Sequence, residues 1–130
     1  MAPVADRDQQ RKNLGVRGED MAVDFLKKKG YTILCRNYRC RSGEIDIVAR
    51  KKKTLCFVEV KTRRTRNFGP PQEAVTQRKQ YKIGRVAQDF LQRYSLENRP
   101  ARFDVVAVDF STGDALIELI ENAFELAGQQ

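Results

Sequence analysis

Apolar and small residues Leu14, Gly18, Met21, Ala22, Phe25 and Leu26 recur at helical spacing and stop at Gly30, which suits a left-handed helix end. The chain therefore opens on a helix over about residues 12–29. The period then changes. Residues 31–38 are rich in β-formers and predict a strand, Arg41-Ser42-Gly43 supplies turn chemistry, and in residues 44–50 Ile45 and Ile47 alternate with Glu44 and Asp46 as in a second strand. Residues 54–61 predict a third, separated from the second by the basic run Arg50 to Lys53. If these two strands form a tight hairpin around Lys52 and Lys53, residues whose numbers sum to 105 face each other and Asp46 lies opposite Glu59. A four-residue loop over 51–54 keeps the same register, although Lys-Lys is not a favoured two-residue turn.

A basic stretch, 63–71, ends in Gly69-Pro70-Pro71. Beyond it Val75, Ile83, Val86, Ala87, Phe90, Leu91 and Tyr94 mark a long helix over about 72–94, with Pro71 suited to its start. Residues 102–110 are almost continuously apolar, as expected of a strand buried on both faces. After the Ser111-Thr112-Gly113-Asp114 turn, 115–120 is a shorter strand or, alternatively, helical. Helices alternating with strands predict an α/β class, with a disordered tail over 1–11, a single domain over 12–122 and a C-terminal tail over 123–130.

Composition narrows the chemistry. A chain of 130 residues supports one core, and no apolar run approaches the ~18 residues that cross a bilayer. The first ten residues lack the apolar stretch of a secretory signal, so a cytoplasmic location is expected. Three cysteines without CxxC spacing and no histidine make a poor zinc set, and the lack of histidine removes Ser/His/Asp and Cys/His schemes. Any catalysis falls to carboxylates and lysine. The net charge of +8 is uneven: residues 1–102 hold all 25 Lys and Arg against 11 acids, and residues 103–130 hold six acids and no base. That asymmetry points to a polyanionic partner met by one face, against the plainer alternative of an ordinary solvated surface.

Strand periodicity puts Glu59 and Lys61 on one face, and the hairpin register adds Asp46. Two carboxylates about 5 Å apart would repel when empty but suit a hard divalent cation, with the Val60 carbonyl as a further oxygen donor. Lys61 could orient the attacking water or neutralise charge in the transition state. Each residue singly is better explained as an exposed strand ion. The combination is not, because Phe57-Val58-Glu59-Val60-Lys61-Thr62 is an otherwise apolar strand whose interrupted burial needs compensation.

Asp46 with Glu59-x-Lys61 resembles the PD-(D/E)xK nuclease signature, with Ile45 standing where the Pro of the signature's name would be. Gly18-Glu19-x-x-Ala22, Gly43-Glu44-Ile45-Asp46-Ile47-Val48 and the FVEVKTR segment resemble the uncharacterised bacterial YraN family, itself similar to archaeal Holliday junction resolvases. The resemblance covers roughly residues 12–110 and implies a restriction-endonuclease-like core: a mixed β-sheet flanked by helices, using Mg²⁺ or Mn²⁺. It implies Asp46 and Glu59 as metal ligands, Lys61 as the motif lysine, and Glu19 as a helix acid near the metal that acts through water. Glu19 is equally explained as a favourable acid in the first half of a helix. Gln77-x-x-x-Tyr81 resembles a motif of RecB-like nucleases and places both side chains on one helix face.

Arg63, Arg64 and Arg66 follow the catalytic strand, and Arg78, Lys79, Lys82 and Arg85 line the second helix; with Gln77 and Tyr81 they form the expected nucleic-acid surface. Arg102-Phe103-Asp104 is expected to be structural, with Asp104 neutralising a nearby base. The resulting expectation is a metal-dependent endonuclease acting on branched or otherwise structured DNA, without membrane association, as a possible homodimer on a symmetric junction. Its competitors are a non-catalytic nucleic-acid-binding module on a nuclease fold and a factor acting on structured RNA.

Overall fold

The computed structural model describes residues 5–64 and 70–125. Helix α1, Ala5–Lys28, covers the predicted helix and extends N-terminal to it through a polar segment that carries no apolar period. Its end is set by Gly30, at φ 92°, whose N–H donates to the Lys27 carbonyl while the Tyr31 N–H reaches back to that of Leu26. This Schellman arrangement satisfies the last carbonyls and turns Tyr31 and Leu26 into the same core.

Strands β1 (Thr32–Cys40), β2 (Gly43–Lys51) and β3 (Thr54–Arg63) follow as an antiparallel meander. The β2–β3 turn is the tight one at Lys52-Lys53, and Lys52 accepts a φ of 55° to make it. The ladder runs from Lys51↔Thr54 to Ile47↔Val58, which is the expected register. Pairing stops there, one step short of the expected Asp46 and Glu59 pair, while the other edge of β3 stays paired with β4 as far as Arg63.

Between them lies helix α2, Gln77–Arg93, which begins later than the predicted 72–94. Pro71 starts a separate 3₁₀ turn, Pro71–Ala74, and Thr76 caps α2 by accepting the Lys79 N–H at 3.2 Å. A side-chain oxygen that satisfies an orphan N–H outweighs the preference of Pro for a first helical position. Strand β4, Ala101–Asp109, then lies parallel to β3, and β5, Leu116–Phe124, pairs antiparallel with β4. The open element is therefore a strand, and it extends past residue 120 into the segment expected as a tail.

The result is a five-stranded mixed sheet in sequence order, flanked by two helices: a restriction-endonuclease-like core. On one face α2 packs Ile83, Val86, Ala87, Phe90 and Leu91 against Val48, Phe57, Phe103 and Val105. On the other α1 packs Ala22, Val23 and Leu26 against Ile47, Val58, Val106 and Val108. Both faces of β4 are covered, which explains its unbroken apolar run. The exception is Asp104, fully buried, which accepts from Tyr31 Oη and Arg102 Nε at 3.1 Å and from the Asn122 N–H at 2.9 Å. It neutralises Arg102 as expected and ties β5 to β4.

Gly18 lets α1 approach the end of β3, since a Cβ there would run into the Thr62 hydroxyl. Helix propensity alone predicts that Gly18→Ala stabilises the protein by ~0.5–1 kcal/mol. The close approach predicts the opposite, a loss of ~1–3 kcal/mol in urea unfolding, largely recovered when Thr62→Ala is added. A stabilised Gly18→Ala would show that the helix does not sit this close.

Candidate active site

The candidate site forms where β2 and β3 part. Asp46 is the first β2 residue beyond the ladder, and its Oδ2 accepts the Val60 N–H at 2.8 Å, replacing a strand partner with a side chain. Side-chain alternation also breaks there: Ile47 and Ala49 join the α1 core, whereas Ile45 joins Val48 in the α2 core. On β3, Glu59 is only 6 % exposed, and its carboxylate lies near enough to that of Asp46 to raise the Asp46 carboxyl. Asp46, Glu59 and Lys61 thus converge as the sequence predicts.

Lys79, expected on the nucleic-acid surface, instead reaches into the site. Its Nζ lies 2.7 Å from Glu59 Oε2, while Lys61 Nζ stands at 4.0 Å from the same oxygen. Charge repulsion and burial leave clear marks. Burial, followed by the hydrogen bond and charge of Glu59, pushes the Asp46 carboxyl up to about 8. Burial, followed by contact with the Lys79 ammonium, holds Lys61 below its ordinary value. Burial opposes the charge of Lys79 as well, but its hydrogen bond to Glu59 and the charges of Glu59 and Asp46 carry it above the usual lysine range.

Beside the carboxylates an open cleft of ≈ 420 Å³ runs along α1, lined among others by Lys12, Glu19, Asn37, Asp46, Val60 and Thr62. Glu19 therefore shares the cleft with Asp46, and its charge contributes to the raised Asp46 value. Its own Oε1 is taken up by Arg36 Nε at 3.0 Å and Asn37 Nδ2 at 3.1 Å. Asn37 adopts a φ of 53° in doing so. Arg36 and Asn37 carried no signal in the sequence, because they meet Glu19 only once α1 lies across β1.

The remaining predicted contacts are more dispersed. Gln77, Arg78, Tyr81, Lys82 and Arg85 are exposed on α2, with Arg85 donating to Tyr81 Oη at 3.4 Å and lying over its ring. Arg63 ends β3, where its carbonyl accepts the Phe110 N–H at 2.8 Å, and exposed Arg64 follows it; Arg66 lies outside the described residues.

A hard divalent cation fits this donor set. Glu59 is buried and Asp46 half-buried, and burial together with the neighbouring Glu59 charge raises the Asp46 carboxyl, a strain that a bound cation would relieve. Among the described residues no third Cys, Asp or Glu side chain joins them as a ligand. One or two carboxylates plus water is the usual protein share of a Mg²⁺ shell. The Val60 carbonyl would be a third protein oxygen.

The sequence itself has relatives. The profile of the uncharacterised protein family UPF0102 matches residues 18–108, which include Glu19, Asp46, Glu59, Lys61 and Lys79. A UPF0102 protein of Geobacter sulfurreducens is 53% identical over 126 residues, spanning 96% of this chain and 98% of its own. One from Pelobacter propionicus is 50% identical over 129 residues, covering 97% and 92% respectively. One from Caldicellulosiruptor saccharolyticus is 50% identical over 116 residues, covering 88% and 98%.

The raised Asp46 has a consequence for stability. Unfolded, an aspartate ionises near pH ~4; folded without a cation, Asp46 keeps its proton to about 8. Between those values folding takes up a proton, so this group makes stability fall as pH rises. In metal-free protein, Asp46→Asn should therefore unfold at higher urea than wild type above pH ~8, with the gap closing toward pH ~4. Equal midpoints at high pH would mean that the carboxylate pair is not strained.

Proposed function

The chain belongs to the uncharacterised protein family UPF0102, and we propose that it is a metal-dependent endonuclease that hydrolyses phosphodiester bonds of DNA. The carrying observation is the convergence of the buried Glu59 carboxylate and the half-buried Asp46 carboxylate with two lysine side chains at the end of β3. A purely structural surface would leave these charges solvated or pair them one to one.

In this reading Asp46 and Glu59, with the Val60 carbonyl, hold Mg²⁺ or Mn²⁺. Such an ion supplies an acidified water and charge stabilisation at a phosphate. The Val60 N–H fixes the Asp46 carboxylate, so the ligand is oriented before substrate arrives. Lys61 faces the same oxygen of Glu59 from the adjacent strand position and orients the attacking water or offsets charge on the phosphate. Glu19, held by Arg36 and Asn37, orders water in the cleft rather than binding the ion directly.

Exposed Arg64 at the end of β3 and Arg78, Lys82 and Arg85 on α2 offer phosphate contacts, and Tyr81, 56% exposed, a stacking surface. Such contacts read charge and shape more than sequence, which favours branched or structured DNA as substrate. A four-way junction would engage two copies related by its two-fold axis. The Lys79–Glu59 ion pair supports a second reading, a nucleic-acid-binding module without catalysis, because it neutralises Glu59 without any metal.

Cleavage of labelled duplex, single-stranded, flap and four-way-junction DNA in Mg²⁺ and Mn²⁺ separates the two. Wild type should cut, with structured substrates preferred. Asp46→Ala and Glu59→Ala should abolish products while still binding DNA in metal-free buffer, Asp46→Ala about as tightly as wild type and Glu59→Ala as tightly or more so, since the latter removes a negative charge beside phosphate. Lys61→Ala should lower turnover ~10²-fold or more with little change in cation affinity. Salt-sensitive binding without products in any metal would establish the binding module instead.

A further inference from the structure

Among the described residues, Lys79 is the charged group at Glu59 that comes from outside the β2–β3 hairpin. The first turn of α2 puts it there: Thr76 caps the helix through the Lys79 N–H, and Ile83, Val86 and Phe90 anchor the helix on the sheet. Its ammonium is the closer of the two lysines to Glu59, at 2.7 Å against 4.0 Å. The Lys79 side chain is nonetheless 41% exposed, where that of Lys61 is 22% exposed. Lys79 thus stands at the boundary between the site and solvent, on a helix whose neighbouring Arg78 and Lys82 face outward.

Resting on the nuclease reading, we infer that Lys79 is a tethered cation: it holds one oxygen of Glu59 in the metal-free site, lowers the affinity for a divalent ion, and shifts to a substrate phosphate so that ion and substrate load together. A carboxylate has lone pairs on both oxygens, so an ion and an ammonium can share Glu59 geometrically. Charge opposes it, because an ammonium within a few ångströms of a dication is strongly repelled in a partly buried site. The long, flexible stem of lysine lets the ammonium leave without moving α2. A phosphodiester supplies the negative charge that draws it away. Lys61 is less suited to that movement, being more buried and fixed to the central strand.

The inference predicts an ordering of cation affinities by the charge at position 79. Mn²⁺ alone is titrated calorimetrically into the full chain and into Lys79→Met, Lys79→Gln and Lys79→Arg. The two neutral variants should bind Mn²⁺ at least about tenfold more tightly than wild type, and Lys79→Arg should keep the wild-type affinity. A phosphorothioate oligodeoxynucleotide should tighten Mn²⁺ binding to wild type more than to Lys79→Met. A lysine with only a structural role would change the melting temperature of the variants without producing this ordering. Unchanged or weaker Mn²⁺ affinity in both neutral variants, or equal tightening by the oligonucleotide, overturns the inference; the nuclease reading then stands if wild type binds Mn²⁺ and Asp46→Ala does not. No Mn²⁺ binding in any of the proteins overturns both.

Discussion

Glu59 is an acid in the central strand of the sheet, almost out of contact with water, and the arrangement around it follows from what that costs. A buried carboxylate must find hydrogen bonds and opposite charge or give up its ionisation. Here Lys79 supplies the charge, Lys61 stands in reserve, and Asp46 responds by holding its proton. Two acids and two bases thus share one small volume. Asp104, the other buried acid among the described residues, shows the contrasting solution. Tyr31, Arg102 and the Asn122 N–H surround its carboxylate, and it serves as a strut between β4 and β5.

The site lies at the end of the β2–β3 ladder because that is where β3 stops being paired on one side. Along Leu55 to Val58, β3 hydrogen-bonds to both β2 and β4. Beyond Val58 its β2 edge is open, and the freed Val60 N–H is taken by Asp46. A backbone donor left over by strand divergence is thus what orients the carboxylate. The two helices close the gap from opposite faces. Helix α1 does so through the Gly18 approach to Thr62 and the cleft that carries Glu19, and α2 through Lys79.

Charge is segregated on the same plan. The acids of the last strand, Glu118 and Glu121, lie on the far edge of the sheet, where Glu121 faces Lys51 and Arg102. Exposed Arg78, Lys82 and Arg85 on α2 and Arg64 just past β3 lie on the side of the carboxylates.

Much of this was legible in the residues themselves. The hairpin register, the convergence of Asp46 with Glu59 and Lys61, the α/β class and the doubly buried β4 all follow from patterns carried by neighbouring residues, because a strand repeats every two positions and a tight turn transmits that phase to its partner. The start of α2 was misjudged locally, since Thr76 capping and Pro71 competed over a few residues. What the chain could not announce were contacts between distant elements. Glu59 and Lys79, Glu19 with Arg36 and Asn37, and Gly18 against Thr62 meet only because each helix crosses the sheet at a particular angle and height. Those crossings are set by how whole apolar faces interlock, a property of the packed core that no local period encodes. The sequence by itself therefore determined which groups the hairpin presents, and tertiary packing alone decided that a lysine from α2 would be the one to hold Glu59.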